Sequence, residues 1–521
     1  MTTTDHDAHP TPDEIAQEVW EDESPTAGMD PALRPGPGDR PWLGALRRIP
    51  VGIDSDEFRV ETDSLGPVRV PGRRYWGAQT QRSLENFDIG ADRMPLEVVR
   101  GLTHVKAAAA VANHDLGRLP GWKAEAIRYV CGEILTGQLD SEFPLAVFQT
   151  GSGTHTNANV NEVIANRANQ LLGSHPGAGT PIHPLDDVNM SQSSNDTFVT
   201  AMHVAAYVVT VERLQPALTA LRDALQARAA DWADVVKVGR THLMDATLLT
   251  VGQEWSGYAA ALTAAVNGIR RPAGELLEVA LGGTAVGTGL NAPPGFTGAA
   301  TRALSESTGY PFRSAFNPFA AQATVDALVR AHAGIKAAAV TLFKIANDLR
   351  WLASGPRAGL QELRIPANEP GSTIMPGKVN PTQAEATLMA CITVIGHDLT
   401  VAMAGAEGNF ELNAFRPIVI DEYLRSVRLL SDASDSLRTH LVNGATLNRR
   451  RLREDVDRSV MVITALTPVV GHERTAAIVT LALESDISVR DAALRSGIDA
   501  DVYDGLIQDA ARSLASGKPL P

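Results

Sequence analysis

The sequence is poor in the residues that mark several large classes of protein. Its 521 residues include only two cysteines, Cys131 and Cys391, and neither has a C-x-x-C neighbour or a metal-ligand spacing around it. A disulfide framework and a cysteine-based metal site are therefore not predicted, and a reducing compartment fits best. No uninterrupted apolar run approaches the roughly 18 residues of a membrane span, and the N-terminus lacks the apolar core of a signal peptide. These absences predict a cytoplasmic protein that does not span a membrane.

Positive charge is also scarce. The chain has 46 Lys and Arg residues against 60 Asp and Glu residues, which gives a formal net charge of -14. This balance argues against nucleic acid or an anionic membrane as a partner. Apolar residues make up 44% of the chain, which is enough to bury a large core, so a globular protein is predicted. An acidic protein that binds acids needs a locally positive pocket.

The segment from Met1 to Asp54 differs in composition from the rest of the chain. It holds 11 acidic and 4 basic residues and 8 of the 31 prolines. Such a segment cannot bury enough apolar surface to offset its chain entropy. Residues 1–54 are therefore predicted to be a mostly disordered acidic, Pro-rich tail, with room for a short helix near Glu14–Trp20, that serves solubility or docking.

The body of the chain begins near Phe58. The run F-R-V-E-T-D-S-L-G-P-V-R-V-P alternates apolar and polar residues and ends at Pro71-Gly72, which predicts a short β-hairpin. Helix-forming sequence follows, and from about Leu447 it changes to shorter helices rich in Arg and Asp. Three folded regions are predicted: an N-terminal domain over residues 55–190, a central helical bundle over residues 191–446 and a small helical domain over residues 447–521.

Two stretches carry the periodic apolar residues of long bundle helices. In the first, leucines recur at spacings of four, three and four residues: Leu214, Leu218, Leu221 and Leu225. In the second, one apolar stripe continues through Leu328, Ile335, Leu342, Ile345, Leu349 and Leu352. Both stretches are rich in alanine, which favours helix and lets neighbouring helices approach closely. Pro216 is expected to kink the first helix, and Gly355-Pro356 is expected to end the second.

Four polar segments, three of which contain glycine, interrupt the helices. Loops of this kind hold functional groups on a rigid scaffold. The segments are Thr150–Asn166, Asn189–Asp196, Gly239–Ala246 and Gly371–Glu385. The third of them places Thr241 and His242 after the run V-V-K-V.

The segment Gly371–Glu385 reads G-S-T-I-M-P-G-K-V-N-P-T-Q-A-E. Its hydroxyl groups, its backbone N-H groups near the glycines and the ammonium group of Lys378 are suited to binding a carboxylate. A structural interpretation also fits, in which Asn380 caps a helix with Pro381 at its first position and Gln383 closes a capping box. The two interpretations are compatible, because a helix N-terminus is itself an anion site.

Residue types alone leave simpler interpretations open. Ser372 and Lys378 fit an ordinary solvated loop, and Ser193–Asp196 fits the cap of the helix that follows. A lone histidine such as His242 is more often a surface or core residue than a catalyst. Periodicity does not decide among these alternatives.

The motifs match those of a known family in type and in order. The run G-S-T-I-M-P-G-K-V-N-P-T resembles the G-S-S-x-M-P-x-K-x-N signature of the fumarase and aspartase superfamily. Four other segments resemble further motifs of that family: T-G-S-G-T-H-T-N-A-N-V-N-E-V at Thr150–Val163, S-Q-S-S-N-D at Ser191–Asp196, G-R-T-H-L at Gly239–Leu243 and G-G-T-A-V-G-T-G-L-N at Gly282–Asn291. From about Phe58 to near the C-terminus, the chain is similar to class II fumarases, the metal-independent type.

This resemblance implies a fold, an assembly and a reaction. The implied fold is all-α dominated and has three domains, with a central bundle of long helices. Fumarases of this class are implied to be homotetramers in which these helices form a twenty-helix core and loops from three chains build each active site. The implied reaction is the reversible addition of water to fumarate, giving L-malate, and no metal or organic cofactor is implied.

Carried over residue by residue, the resemblance implies a catalytic set. Ser372 matches the serine that takes the C3 proton, on a loop that closes over the substrate. His242 matches the histidine that activates water, and Glu385 matches the carboxylate that keeps this histidine basic. Lys378 and Asn380 match the residues that hold the substrate carboxylates. Because a serine is a weak base, surrounding N-H groups and Lys378 have to stabilise its ionised form.

The remaining implied substrate ligands are hydroxyl and amide groups. They are Ser152, Thr154, Ser193, Ser194, Asn195 and Thr241. Taking a proton from the carbon beside a carboxylate leaves two negative charges on that carboxyl group, so the chemistry requires a dense set of donors and a cation. The residue types fit a fumarate or malate dianion.

Two positions near His242 depart from the family pattern G-R-T-H-L-Q-D-A-T-P. Met244 replaces the glutamine and Leu248 replaces the proline. Losing the amide at position 244 is expected to change how the water or the histidine is oriented, and so to alter turnover.

A second carboxylate site of the family is also changed in this sequence. The run H-P-L-D-D-V-N has Leu185 in place of an asparagine, and Thr180 stands where an arginine is common. His183 and Asp186 remain. This site is expected to be weak or absent.

Two other functions stay open at this point. An ammonia lyase or a larger-substrate lyase of the same superfamily would share the fold, but aspartases typically have T-Q where this chain has Thr241-His242, which favours water chemistry. A non-catalytic scaffold protein would share the fold without turnover. The intact set Ser372, Lys378, Asn380, Glu385, His242 and Asn195 counts against that last alternative.

Overall fold

The computed structural model describes residues 49–516. The predicted disordered tail, residues 1–54, lies outside the described residues apart from its last six positions, and so does the short helix near Glu14–Trp20. The boundary of the tail stays a prediction.

Helices make up most of the described chain. They are α1 (Ala78–Asn86), α2 (Leu96–Asp115), α3 (Gly121–Leu135), α4 (Thr154–Leu171), α5 (Ser194–Val209), α6 (Gln215–Asp231), α7 (Val251–Ala273), α8 (Phe296–Thr308), α9 (Pro318–Ala323), α10 (Asp326–Leu352), α11 (Thr382–Ala406), α12 (Arg416–His440), α13 (Arg449–Arg458), α14 (Thr467–Val470), α15 (His472–Ser485), α16 (Val489–Arg495) and α17 (Ala500–Ala515). The short helices after α12 agree with the predicted change near Leu447.

The strands of the described chain are short and form two-stranded sheets. They are β1 (Phe58–Asp63), β2 (Gly66–Pro71), β3 (Val236–Thr241), β4 (Met244–Thr250), β5 (Glu278–Val279), β6 (Arg313–Ser314), β7 (Leu363–Arg364) and β8 (Thr446–Leu447). The predicted N-terminal hairpin is confirmed, because β1 and β2 pair antiparallel with Phe58 opposite Pro71 and Asp63 opposite Gly66.

Both predicted long helices are confirmed. The four leucines of the first stripe have 0% of their surface exposed, and the six residues of the second stripe, in α10, are at most 8% exposed. A π-helical turn at Thr210–Leu214 separates α5 from α6, and Pro216 lies in the first turn of α6. Since proline lacks the N-H that would bond to the preceding turn, the helix changes its geometry there.

The chain forms two compact units, each assembled from three stretches of sequence. The first unit comprises Met1–Glu212, of which residues 49–212 are described, together with Arg271–Ala333 and Gly396–Val427. One of its cores joins α2, α5 and α8 through Val105, Ala108, Ala109, Ala112, Val204, Phe296, Ala300 and Leu304. The alanines on α2 allow these helices to pack at close range.

The second unit comprises Arg213–Arg270, Gly334–Ile395 and Arg428–Pro521. Its C-terminal helices share a core that includes Ile463, Leu466, Ile478, Ala482, Val489 and Ala492. A smaller cluster of Val238, Leu248 and Val462 attaches the hairpin β3–β4 to this C-terminal part. Leu248, one of the departures from the family pattern, therefore packs in this apolar cluster.

The predicted capping box at the start of α11 is wrong. The helix begins at Thr382, and the N-H of Glu385 donates to the carbonyl oxygen of Pro381 at 3.1 Å, so Pro381 precedes the first helical residue. The side chain of Asn380 donates to the carbonyl oxygen of Gly371 at 2.7 Å, and that of Gln383 accepts from Ser436. The two side chains that the local pattern assigns to the cap therefore have other partners, one in the same loop and one on α12.

Within residues 49–516, α11 is the one helix long and apolar enough, by length and composition, to cross a membrane. The sequence shows no uninterrupted apolar run here, because Asp398 and several threonines interrupt it. Only 33% of its most apolar 18-residue window is buried within the chain. The exposed apolar residues recur at helical spacing and are 59% to 66% exposed: Met389, Ile392, Leu399 and Met403. One face of α11 is therefore apolar and uncovered in a single chain.

Candidate active site

The polar loop before α4 is held tightly in the first unit. Gly153, which precedes α4, has a φ of +79°, a left-handed conformation that favours glycine. A Cβ at Gly153 would lie 2.3 Å from the ring of Phe198, and a Cβ at Gly151 would lie 1.5 Å from the carbonyl oxygen of Ala414. Only glycine fits at these two positions, so the loop lies directly against its neighbours.

Helix α5 begins with a complete capping box. The Ser193 hydroxyl accepts from the N-H of Asn195 at 3.2 Å, and the Asp196 carboxylate accepts from the N-H of Ser193 at 2.9 Å. The structural interpretation of Ser193–Asp196 as a helix cap is thus confirmed. The other Asp196 oxygen accepts from the N-H groups of Gly282 at 2.9 Å and Thr284 at 3.1 Å. The start of α5 is therefore tied to the glycine-rich motif.

A chain of hydroxyl groups joins the starts of α4 and α5. Ser152 Oγ lies 2.7 Å from Thr154 Oγ1, which lies 2.8 Å from Ser194 Oγ. Thr154 and Ser194 are the first residues of their helices, so two helix N-termini meet at these hydroxyls. The first turn of α4 contains no acidic residue and no side-chain cap. Hydroxyl donors beside the uncapped, positive start of α4 form a site suited to an anion.

Groups behind Asn195 fix both its side chain and its backbone. Its side-chain amide donates to the carbonyl oxygen of Ala285 at 2.9 Å, and its carbonyl oxygen accepts from the guanidinium of Arg416 at 2.8 Å. Arg416 has 0% of its surface exposed and also donates to the carbonyl oxygen of Gln322. Its own N-H donates to the carbonyl oxygen of Gly151 at 3.1 Å. One arginine therefore contacts both polar segments of the first unit.

A second buried cation lies at the other end of the Asn189–Asp196 segment. Lys106, which has 0% of its surface exposed, places Nζ 2.8 Å from Asn189 Oδ1 and 3.0 Å from Gln192 Oε1. Burial lowers the pKa of Lys106 to about 7, against the opposing effect of the Asp196 carboxylate. Burial raises the pKa of Asp196 to about 6, against the effect of the N-H groups that it accepts from. These shifts follow from the cost of placing charge away from water.

The third polar segment forms the hairpin β3–β4 in the second unit. Its two-residue turn is His242–Leu243, and both residues have positive φ, +57° and +62°. This is the geometry of a type I′ turn, which Asn and Gly usually occupy, and it strains other residues. His242 is exposed at the tip, flanked by the paired residues Thr241 and Met244, and Met244 is 70% exposed. The strained turn presents the imidazole of His242 to solvent.

A buried ion network supports the hairpin from behind. Lys237 is 1% exposed, and its Nζ lies 2.8 Å from Glu254 Oε1 and 2.6 Å from Glu362 Oε2. Arg240 pairs with the other carboxylate oxygen of Glu362. Burial raises the pKa of Glu254, and Lys237 counters that rise. Glu362 thus anchors two residues of β3 just before Thr241.

The segment Gly371–Asn380 closes on itself. Its two ends are joined by the hydrogen bond from Asn380 to the carbonyl oxygen of Gly371. A Cβ at Gly371 would lie 2.1 Å from the carbonyl oxygen of Lys378, so the two arms of the loop touch. The loop is therefore closed by contacts between its own residues.

Within this loop, Ser372 is surrounded by backbone donors. Its hydroxyl oxygen accepts from the N-H of Ile374 at 3.3 Å and from the N-H of Met375 at 3.1 Å. Ser372 is half-buried and Lys378 is exposed. Two N-H groups directed at one oxygen stabilise negative charge on it.

The structure brings some of the predicted site residues together and leaves others apart. Five lie around the starts of α4 and α5: Ser152, Thr154, Ser193, Ser194 and Asn195. In the second unit, Ser372, Lys378 and Asn380 share one loop, and Thr241 and His242 share the hairpin. Glu385 is exposed in the first turn of α11 and forms no ion pair with His242 within the described part of one chain.

The residues of the family's second carboxylate site contact each other. Nδ1 of His183 lies 3.0 Å from a carboxylate oxygen of Asp186 and accepts from the N-H of Asp186 at 3.1 Å. Leu185 beside them is 48% exposed. The expectation that this site is weak or absent stays a prediction.

Sequence reasoning missed three buried polar residues at the site: Lys106, Gln322 and Arg416. For Lys106 a signal exists, because a lysine in the run V-K-A-A-A-A-V lies in an alanine-rich helix where charge is unusual. No local pattern marks Gln322 or Arg416, whose partners are distant in sequence.

Comparisons with known proteins agree with this architecture. A family model described as Lyase matches residues 66–396. The chain is 54% identical to the class II fumarate hydratase of Methanosarcina acetivorans over 466 residues, which cover 89% of this chain and 96% of that protein. It is 53% identical to the class II fumarate hydratase of Thermosynechococcus vestitus over 449 residues, which cover 86% of this chain and 96% of that protein.

A solved structure extends the likeness to the fold. The crystal structure of a class II fumarase from Schistosoma mansoni matches with a TM-score of 0.86 and 39% sequence identity, covering 89% of this chain and 100% of that chain. The predicted helix-dominated fold is therefore confirmed. The chain belongs to the class II fumarase family of lyases.

Proposed function

We propose that the protein is a fumarate hydratase, a hydro-lyase that reversibly adds water to fumarate and forms L-malate. The observation that carries this proposal is the 54% identity over 96% of the length of a class II fumarate hydratase. In the direction of water loss, the reaction needs a base for the C3 proton, an acid for the leaving hydroxyl and donors for the dianion that forms. The described residues offer a group for each task.

The starts of α4 and α5 bind one substrate carboxylate. Ser152, Thr154 and Ser194 contribute hydroxyls, and the uncapped N-H groups at the start of α4 contribute positive potential. Ser193 and Asn195 complete this donor set. Thr241, Lys378 and Asn380 bind the rest of the dicarboxylate.

Ser372 takes the C3 proton of malate. A serine hydroxyl is a weak acid, so its ionised form requires stabilisation. The N-H groups of Ile374 and Met375 already point at this oxygen, and Lys378 in the same loop adds a positive charge. The same cation favours the dianion that appears when the proton leaves.

His242 activates the water that is added, and Glu385 keeps the imidazole basic. Both side chains are exposed in one chain. We assign their pairing to the assembly, in which Glu385 of a neighbouring copy reaches His242. Met244, exposed beside His242, replaces an amide of the family pattern and is expected to alter turnover without changing the reaction.

The protein forms a homotetramer in which three chains share each active site. The apolar face of α11 supports this, because four large apolar residues along one helix remain exposed in a single chain. A second copy presents the same face, and pairing through a symmetry axis covers both. No metal and no organic cofactor enters this proposal.

The deciding experiment mixes the purified full chain with L-malate, L-aspartate and argininosuccinate in parallel and follows the ultraviolet absorbance of fumarate. We expect signal from malate alone. Fumarate from aspartate and not from malate would make the protein an ammonia lyase. If folded protein released fumarate from none of the three substrates, it would be a non-catalytic scaffold.

A further inference from the structure

Three charged side chains lie fully buried beneath the segment that leads into α5. Lys106, Asp196 and Arg416 each have 0% of their surface exposed. The Asp196 carboxylate acts electrostatically on both cations. Two cations face one carboxylate in a chain whose formal net charge is -14, so this cluster is locally positive.

The two cations hold opposite ends of one segment. At its start, Lys106 donates to Asn189 Oδ1, which also accepts from the side-chain amides of Asn157 and Asn161, each at 3.2 Å. At its end, Arg416 donates to the carbonyl oxygen of Asn195. Ser193 and Ser194 lie between these two fixed points. The donors assigned to the substrate are therefore carried on a segment clamped by buried cations at both ends.

Arg416 also fixes the side chain of Asn195 indirectly. It donates to the carbonyl oxygen of Gln322, whose amide donates to the carbonyl oxygens of Thr284 at 2.9 Å and Ala285 at 2.7 Å. The side-chain amide of Asn195 donates to that same Ala285 oxygen. The orientation of Asn195 thus depends on a hydrogen-bonded series that begins at Arg416.

The buried charges and unpaired polar atoms of this cluster are expected to lower the stability of the fold. Within the described residues, three of its buried polar atoms have no hydrogen-bond partner: Thr284 Oγ1, Gln322 Oε1 and Arg416 Nε. Buried charges and unpaired polar groups generally lower stability relative to apolar packing. Because these groups lower stability, we expect them to serve binding instead.

We propose that Lys106 and Arg416 are positioning residues of the dicarboxylate site, which fix the Asn189–Asp196 segment from beneath and supply its positive potential. They do not touch the substrate. The proposal rests on the proposed function, since it takes Ser193, Ser194 and Asn195 as carboxylate ligands.

The test measures the affinity of the full chain for succinate, an unreactive dicarboxylate, by calorimetry at pH 6 and pH 9. In Lys106→Met we expect affinity to fall about tenfold at pH 6, the effect of one charged hydrogen bond. At pH 9 the loss should be clearly smaller, because the pKa of Lys106 is about 7 and the wild-type amine is then neutral, although it can still donate to Asn189 and Gln192. Among the described groups, the ionisable side chains that act on Lys106 are Asp196 and Cys131. Burial raises the pKa of the Cys131 thiol to about 12, so Asp196 is the one that carries charge at pH 6 and pH 9.

Matched variants separate charge from folding. Lys344→Met removes an exposed lysine of α10 and should leave succinate affinity unchanged at both pH values. Lys106→Gln removes the same buried charge and replaces Lys106→Met if that variant does not fold. Arg416→Lys keeps a positive charge at pH 6 but loses the two-armed guanidinium, so it should weaken succinate binding at pH 6.

Succinate affinity tests the positioning role, whereas fumarate release from malate tests the proposed reaction. An equal loss at pH 6 and pH 9, or no loss at either, would overturn the role of Lys106, and unchanged binding in Arg416→Lys would overturn the role of Arg416. In turnover of malate, both variants should raise KM more than they lower kcat. If the wild type bound succinate but released no fumarate from malate, the proposed function would fail while the positioning role could still be measured.

Discussion

The hydroxyl of Thr154, at the first position of α4, lies 2.8 Å from the hydroxyl of Ser194, at the first position of α5. Thr154→Val keeps the shape of this side chain and removes the link between the two helix ends. We expect KM for malate to rise about tenfold, since one hydrogen bond to a charged carboxylate is lost. Steady-state kinetics measure this. Thr263→Val, which removes a hydroxyl bonded to its own helix at Ala259, should leave KM unchanged.

Ser372→Ala removes the proposed base. We expect kcat for malate to fall by about a hundredfold or more, the usual contribution of a general base, with a smaller change in KM. Ser354→Ala is the matched control, because Ser354 Oγ also accepts a loop N-H, from Leu360 at 3.0 Å, outside the proposed site. An unchanged kcat in Ser372→Ala would remove this serine from the mechanism.

Leu243 occupies the second left-handed position of the His242–Leu243 turn and is 66% exposed. Asparagine adopts this conformation more readily than leucine, so Leu243→Asn should raise the free energy of unfolding by about 1 kcal/mol. The melting temperature reports the change. Leu65→Asn, in the turn of the β1–β2 hairpin, replaces a leucine that is 79% exposed and has no positive φ. Equal gains in both variants would show that exposure, not backbone strain, is the cause.

Leu399 lies in the apolar face of α11 and is 66% exposed in one chain. Leu399→Glu places a charge where the proposed tetramer buries an apolar residue, so we expect smaller species by light scattering and a parallel loss of malate turnover. Leu483→Glu is the control, because Leu483 is 63% exposed on α15. A tetramer that survives Leu399→Glu would place the interface elsewhere.

Burial lowers the pKa of His203 to about 4, and its Nδ1 lies 2.8 Å from the carbonyl oxygen of Glu278. The unfolded chain protonates this histidine below its ordinary pKa of about 6.5, whereas the folded chain does not. Stability should therefore fall as the pH drops from about 6.5 towards about 4, because the unfolded state binds the additional proton. In His203→Asn, melting temperatures measured across this window should decline less than in the wild type. His472→Asn, at an exposed position, should decline as the wild type does.

The long helices could be predicted because their signal is periodic and local. The stripe from Leu328 to Leu352 is buried along its whole length, as apolar residues at helical spacing require. The break before Pro216 also follows from local chemistry. The proposed domain boundaries at 190 and 446 stay predictions.

The hairpin that carries His242 could not be predicted from turn residues. Its turn is His-Leu, and neither residue gives the Asn-Gly signal of a type I′ turn. Its position depends on Lys237, Glu254 and Glu362, which come together from three distant parts of the sequence. The cap assigned to Asn380 failed because the helix begins only at Thr382, and the Asn380 side chain instead closes its own loop by donating to the carbonyl oxygen of Gly371.

The hydrogen bond that ties Asn380 to Gly371 has a mechanical consequence. This bond and the close contact of the two arms hold the segment together from within. If this segment closes over the substrate as the family resemblance implies, we expect Ser372 to keep its two N-H donors during that movement. The base would then reach the substrate with its oxygen already stabilised by those donors.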